Sequence, residues 1–190
     1  MILPEGYTFE KIDGGFSLRF RPDFPLSQAR CLAVAAASWV RAAAGGGAKI
    51  LWPNRVVLDG ARVCAMECRA AAAGELIFTF RPEALPIPAE AFAEAVVLAA
   101  VEDLAGFPDN QPALLEKYCE HCLTVMKFVN VTYRGMPIYG FAFAVDKHGG
   151  LMVMTQESHT VVTVYGGEAE IVKKGEEPDR TQELPHMPGN

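Results

Sequence analysis

The stretch that decides the fold is KILWPNRVVLDGARVCA, Lys49 to Ala65. It reads as a strand carrying Trp52-Pro53-Asn54, a tight turn at Asp59-Gly60, and a second strand that opens with Arg62. Asp-Gly is a strong hairpin signal because both residues tolerate the positive φ of a two-residue turn. The second strand is expected over 61–69. Lys49, Arg55 and Arg62 put positive charge on the hairpin; they suit an anionic ligand, and a merely solvated strand face explains them equally well.

Upstream, Phe16, Leu18 and Phe20 alternate with Ser17, Arg19 and Arg21, which is strand periodicity with one buried face. Ser27 is placed to cap a following alanine-rich helix, and Gly45-Gly46-Gly47 ends it. Downstream, Gly74 to Phe80 reads as another strand. Pro88 suits the first turn of a helix, and Phe92, Ala95, Val96, Ala99 and Leu104 recur at helical spacing. A shorter helix is expected from Pro112 to Cys122. The pattern then changes to short strands, Val125 to Tyr133, Ile138 to Val145, Leu151 to Thr155, Thr160 to Tyr165 and Ala169 to Val172. Their spacing predicts a small β-barrel of the SH3-like kind. The charged, proline-bearing tail, 174–190, is expected to be disordered.

The bulk properties fit a globular chain. Of 190 residues, 51% are hydrophobic and 21% charged, enough for a sizeable core. The formal net charge of -6 argues against a nucleic-acid backbone or an anionic membrane as the main partner, since both call for a basic face. No apolar run is long enough for a membrane span, and the N-terminus lacks the pattern of a signal peptide. Five cysteines, an odd number scattered through predicted core elements, favour a reducing cytoplasm and free thiols.

Three pieces of the chain resemble the biotin protein ligases. Gly14-Gly15-Phe16-Ser17-Leu18-Arg19-Phe20-Arg21-Pro22 is similar to that family's G-x-L-Y-F-S-L-x-L-R-P strand. Trp52-Pro53-Asn54 is similar to its W-P-N-D signature. Tyr139 to Asp146 with Gly149 to Val153 is similar to the I-x-G-x-A-x-G-I-D-x-x-G-x-L-x-V of its C-terminal barrel. The resemblance implies an α+β fold: a biotin/lipoate-ligase-like mixed sheet with packed helices over 1–123, and the small barrel over 124–173. It also implies ATP with Mg²⁺ and biotin as cofactors if the family activity is retained. The reaction would join the biotin carboxylate to the α-phosphate of ATP and then pass the acyl group to a lysine.

The chain departs from the family pattern at the reactive positions. Arg55 stands at the aspartate of W-P-N-D, a charge reversal. Arg62 stands at the family's lysine, keeping the charge with a different geometry. Ala65 replaces a small glycine. The Gly-Arg-rich loop expected upstream of the first matching strand is not found before Gly14. These departures predict a divergent homologue that binds biotin, another acyl carboxylate or an adenylate through Trp52, Asn54 and Arg62, with weak or no ligase activity alone. The alternatives are a non-catalytic interaction or assembly module, or one subunit of a split ligase. An uncovered sheet edge beside the first matching strand predicts a homodimer or a hetero-partner.

Cys119-Glu120-His121-Cys122 is a weak zinc signal by itself. Cys64 and Cys68, or His148 or His159, would be needed to complete a site, and core packing is the favoured reading. Asp146 is explained by turn chemistry. Glu67 and Arg69 receive no role, and His148 and His159 are read as solvated loop residues.

Overall fold

A computed structural model describes residues 2–72, 74–133 and 135–172. The tail expected to be disordered lies outside the described residues. The chain builds β1 (Tyr7–Ile12), β2 (Gly15–Phe20), a 3-10 segment (Leu26–Cys31), α1 (Leu32–Ala44), β3 (Lys49–Leu51), β4 (Arg55–Leu58), β5 (Ala61–Ala70) and β6 (Leu76–Pro82). It continues with α2 (Ala89–Ala105), α3 (Gln111–Cys119), β7 (Lys127–Tyr133), β8 (Met136–Val145), β9 (Leu151–Thr155), β10 (Val161–Val164) and β11 (Ala169–Ile171).

The first sheet has the order β1-β2-β6-β5-β4-β3. Its ladders are all antiparallel, which corrects the expected mixed sheet. The connections are the cause: four of the five ladders are closed by short hairpins, which reverse the chain. The parallel contact recorded beside it is an isolated bridge between Ile50 and Cys122. β1 was not foreseen. It pairs with β2 through the Asp13-Gly14 turn, where Gly14 adopts a φ of 69°. The free edge expected beside β2 is therefore occupied, and β1 and β3 are the edges of this sheet.

The helices pack on one face. Trp39 of α1 meets Phe78 edge-on at 5.1 Å, and Phe16 stacks on Phe80 at 5.0 Å. Residues in register with Phe78 and Phe80 thus face the helices, and Leu18, Trp39, Phe78, Phe80, Phe92 and Val96 are buried there. Small side chains, Ala36 and Ala37 on α1 and Ala93 and Ala100 on α2, are buried in the same core. They allow α1 and α2 to approach closely, and Asp103 of α2 accepts the Trp39 indole N–H at 2.7 Å. Ser27 does not cap α1, because the chain enters through the 3-10 segment instead.

The second sheet has the order β10-β9-β8-β7-β11, also antiparallel. The five strands fall within a few residues of the expected positions. The sheet stays open rather than closing into the expected barrel: β10 and β11, four and three residues long, lie at opposite edges. Among the described residues, no helix is long and apolar enough to cross a membrane.

Candidate ligand-binding sites at the hairpin

Cross-strand partners project to the same side of a sheet, so the register fixes the composition of the face turned away from the helices. Arg19, Ile77 and Arg69 form one row across β2, β6 and β5, and Ser17, Thr79 and Glu67 form the next, with Glu10 of β1 beside Ser17. At the hairpin a register shift falls between Val56 and Val57. Val56 pairs with Cys64 toward the helices, and Val57 pairs with Arg62 toward the other face, whose rim at Arg62 is open to solvent while Ser17, Ile77 and Thr79 at its centre are buried. The bulge thus re-aims Arg62. Lys49 also pairs with Val57, which adds a second cation to that side.

Arg62 is exposed and holds Glu83 with two contacts, Nε to Oε2 at 2.8 Å and Nη2 to Oε1 at 2.6 Å. The Arg62 guanidinium, supported more weakly by Arg55, holds the Glu83 carboxyl below the usual carboxylate range. Among the described residues, Arg55 has no ion-pair contact as close as that of Arg62. An exposed pair of this kind contributes little to stability, so an incoming anion can exchange with Glu83.

Trp52 and Asn54, expected to share a site with Arg62, line a cavity whose lining does not include Arg62. Trp52 is 2% exposed. Its backbone N–H donates to Thr124 Oγ1 at 3.0 Å and its indole Nε1–H to the Gly149 carbonyl at 3.0 Å. Tyr118, fully buried and with its phenol pushed well up by burial, donates to the Pro53 carbonyl at 2.9 Å. Asn54 donates its amide to the Met66 carbonyl at 3.3 Å, where β4 has ended and β5 lacks a strand on that side. The Trp-Pro-Asn segment therefore ties the two sheets together and closes an open strand edge.

Behind it lies a cavity of about 440 Å³. Leu26, Ala29, Ala33 and Val34 from the entry to α1, with Leu76 and Trp52, give it an apolar wall. Arg30, Arg69, His148, Asn54 and Tyr165 supply polar groups. Arg69 and His148 are functional candidates that sequence reading passed over. The loop carrying His148 is fixed by Asp146, which accepts the backbone N–H of His148 at 2.9 Å and of Gly150 at 2.8 Å, and the Tyr165 hydroxyl.

The cysteines do not assemble. Among the described residues no group of three or more His, Cys, Asp or Glu is placed to hold a metal ion. Cys64 is fully buried, and burial pushes the thiols of Cys64 and Cys68 up to about 12 and that of Cys31 up to about 11.

A structure of the biotin protein ligase from Aquifex aeolicus matches with a TM-score of 0.63 at 18% identity, over 84% of this chain and 83% of that one. The fold is that of the biotin protein ligases. The same Aquifex aeolicus protein in complex with biotin and ATP matches at 0.54 and 16% identity, over 85% of this chain and 79% of that one. A biotin protein ligase-like protein of unknown function from Silicibacter sp. TM1040 matches at 0.60 and 13% identity, over 79% and 77%. No protein-family profile and no curated protein matches the sequence. The ligase fold is thus carried by a sequence that has diverged far from these structures.

Proposed function

We propose that this chain is a ligand-binding variant of the ligase fold that takes a small carboxylate or an adenylate on the open sheet face at Arg62, with weak or no transfer activity by itself. The observation that carries the reading is the exposed Arg62 guanidinium held by the exposed Glu83, with the positive charge of Arg55 acting more weakly on the same carboxylate. Arginine suits planar, bidentate anions, and an incoming carboxylate or phosphate replaces one exposed carboxylate by another. Biotin and ATP, both bound by the Aquifex aeolicus ligase, are the first ligands to try.

The residues fit the anionic part of an adenylate. They do not fit Mg²⁺ at the hairpin, because Arg55 replaces the carboxylate expected there and repels a divalent cation. Loss of one preorganised electrostatic group typically costs about 10²–10³ in rate, which sets the weak transfer expected. A second reading, a binding module that keeps only the fold, is favoured by one observation: the two N–H donors of Trp52 and the amide nitrogen of Asn54 are engaged by Thr124, Gly149 and Met66.

Calorimetric titration with biotin, lipoate and biotinyl-adenylate separates the two. Saturable binding of at least one of them, weakened about tenfold in Arg62→Gln, supports the first reading. Absence of binding at about millimolar ligand, some 4 kcal/mol of affinity, leaves the module.

A further inference from the structure

The cavity between the start of α1 and the loops of the second sheet does not include Arg62. Cys68, Ala70 and Leu76 line it from the helix side, and Arg69 reaches it from the other face at the end of β5. Its volume, about 440 Å³, falls in the range of small-molecule sites. Its walls come from both sheets: Arg30 and Val34 from the entry to the first core helix, Arg69 from the unpaired end of β5, and His148 and Tyr165 from the second sheet.

The charge balance inside it is one-sided. The lining holds two arginines and a histidine and no carboxylate. Among the described residues, neither Arg30 nor Arg69 has an ion-pair partner, whereas Arg19, Arg21 and Arg62 each do. The nearby Asp146 is already committed to two backbone N–H groups and the Tyr165 hydroxyl. His148 Nδ1 is buried and has no hydrogen-bond partner. A buried polar atom without a partner normally answers to a bound group or an ordered water. The rest of the wall, Leu26, Val34 and Leu76, offers nothing polar to a ligand and is suited to an apolar body.

We infer that this cavity binds a small amphipathic anion, its acidic head held by Arg30, Arg69 and the free Nδ1 of His148, its apolar body against Leu26, Val34 and Leu76. The head is a carboxylate or a phosphate monoester, both of which guanidinium groups accept in bidentate fashion. Such a ligand touches both sheets, so its binding links the Trp52–Gly149 tie to occupancy.

The test is titration calorimetry on the full chain with four probes: octanoate, octyl phosphate, octanol and inorganic phosphate. At least one of the first two should bind saturably, and about tenfold or more tighter than both octanol and inorganic phosphate, because head and body are both used. Which of the two binds tighter identifies the head. Titration in an Arg62→Gln background takes the open-face site out of the measurement, and there Arg30→Gln and Arg69→Gln should each weaken that binding about tenfold. Both altered arginines are exposed, and a thermal melt checks that the variants fold. Equal binding of octanol and the anions, no saturable binding of either anion, or binding insensitive to both cavity arginines would overturn the assignment. The Arg62 variant keeps this result distinct from that of the open-face reading.

Discussion

Replacing Trp52 by Phe tests how the two sheets are held together. The indole is buried, and its N–H is the donor to the Gly149 carbonyl, itself on a buried glycine. Phenylalanine cannot donate, so that carbonyl loses its partner, at a cost of about 1–3 kcal/mol. The smaller ring leaves part of the indole volume unfilled, adding about 1 kcal/mol or more. The sum, about 2–4 kcal/mol, is a large share of the roughly 5–15 kcal/mol that stabilises a domain. For a chain of this length it lowers the melting midpoint by about 5–15 °C. Thr124→Val probes the same tie from the other side, leaving the Trp52 backbone N–H without its acceptor, for about 1–3 kcal/mol. Urea denaturation of both variants and the double variant gives the values and their coupling. A loss below about 0.5 kcal/mol for Trp52→Phe, within the range of ordinary surface substitutions, would refute the tie.

Two further outcomes follow from the same geometry. Burial pushes the Asp146 carboxyl up, but hydrogen bonds from Tyr165 and from the backbone of Gly150 and His148 outweigh it and leave it below the usual carboxylate range. A lowered folded-state pKa gives stability that is present above the unfolded value and lost as pH falls through the folded one. Asp146→Asn should therefore flatten part of the decline in urea-measured stability below about pH 4, and an unchanged acid limb would contradict it. With their pKa values near 11 and 12, Cys31, Cys64 and Cys68 should be alkylated by iodoacetamide at about pH 8 at least 100-fold more slowly in the native protein than in urea. Mass spectrometry reads this, and native labelling at the unfolded rate would show the thiols to be accessible.

Much of the fold could be read from local pattern. Phe16-Leu18-Phe20, the Asp59-Gly60 turn and the five short strands after Val125 all appear near their expected positions, because alternation and turn residues are local signals. β1 was also signalled, by Tyr7 and Phe9 alternating with Thr8 and Glu10 ahead of Asp13-Gly14. Lys11, on the side of Tyr7 and Phe9, obscured the pattern; it reaches Glu90 of α2 at 3.0 Å instead of entering the core. Closure of the second sheet was not legible, because it depends on whether two short edge strands meet. The candidate sites were legible only in part. Trp52, Asn54 and Arg62 are close in sequence, yet the bulge at Val56/Val57 turns Arg62 away from the helices, while Trp52 and Asn54 line a cavity that does not include Arg62. Arg30, Arg69 and His148 come from three distant segments, and no spacing rule joins them. Arg69 looked like an ordinary strand residue and His148 like a solvated loop residue; in the fold β4 reaches no further along β5 than Cys64, and the cavity lies between them.

The central claim is that the open face binds an anion through Arg62 in competition with Glu83. Biotinyl-adenylate titration of Glu83→Gln beside Arg62→Gln tests it directly. Removing the competing carboxylate while keeping the side chain's size should tighten binding, and removing the guanidinium should weaken it, each by about three- to tenfold for one charge-assisted contact. Movement in these opposite directions is the predicted result. Equal affinities in both variants and the parent protein, or no binding in any of them, would contradict the account.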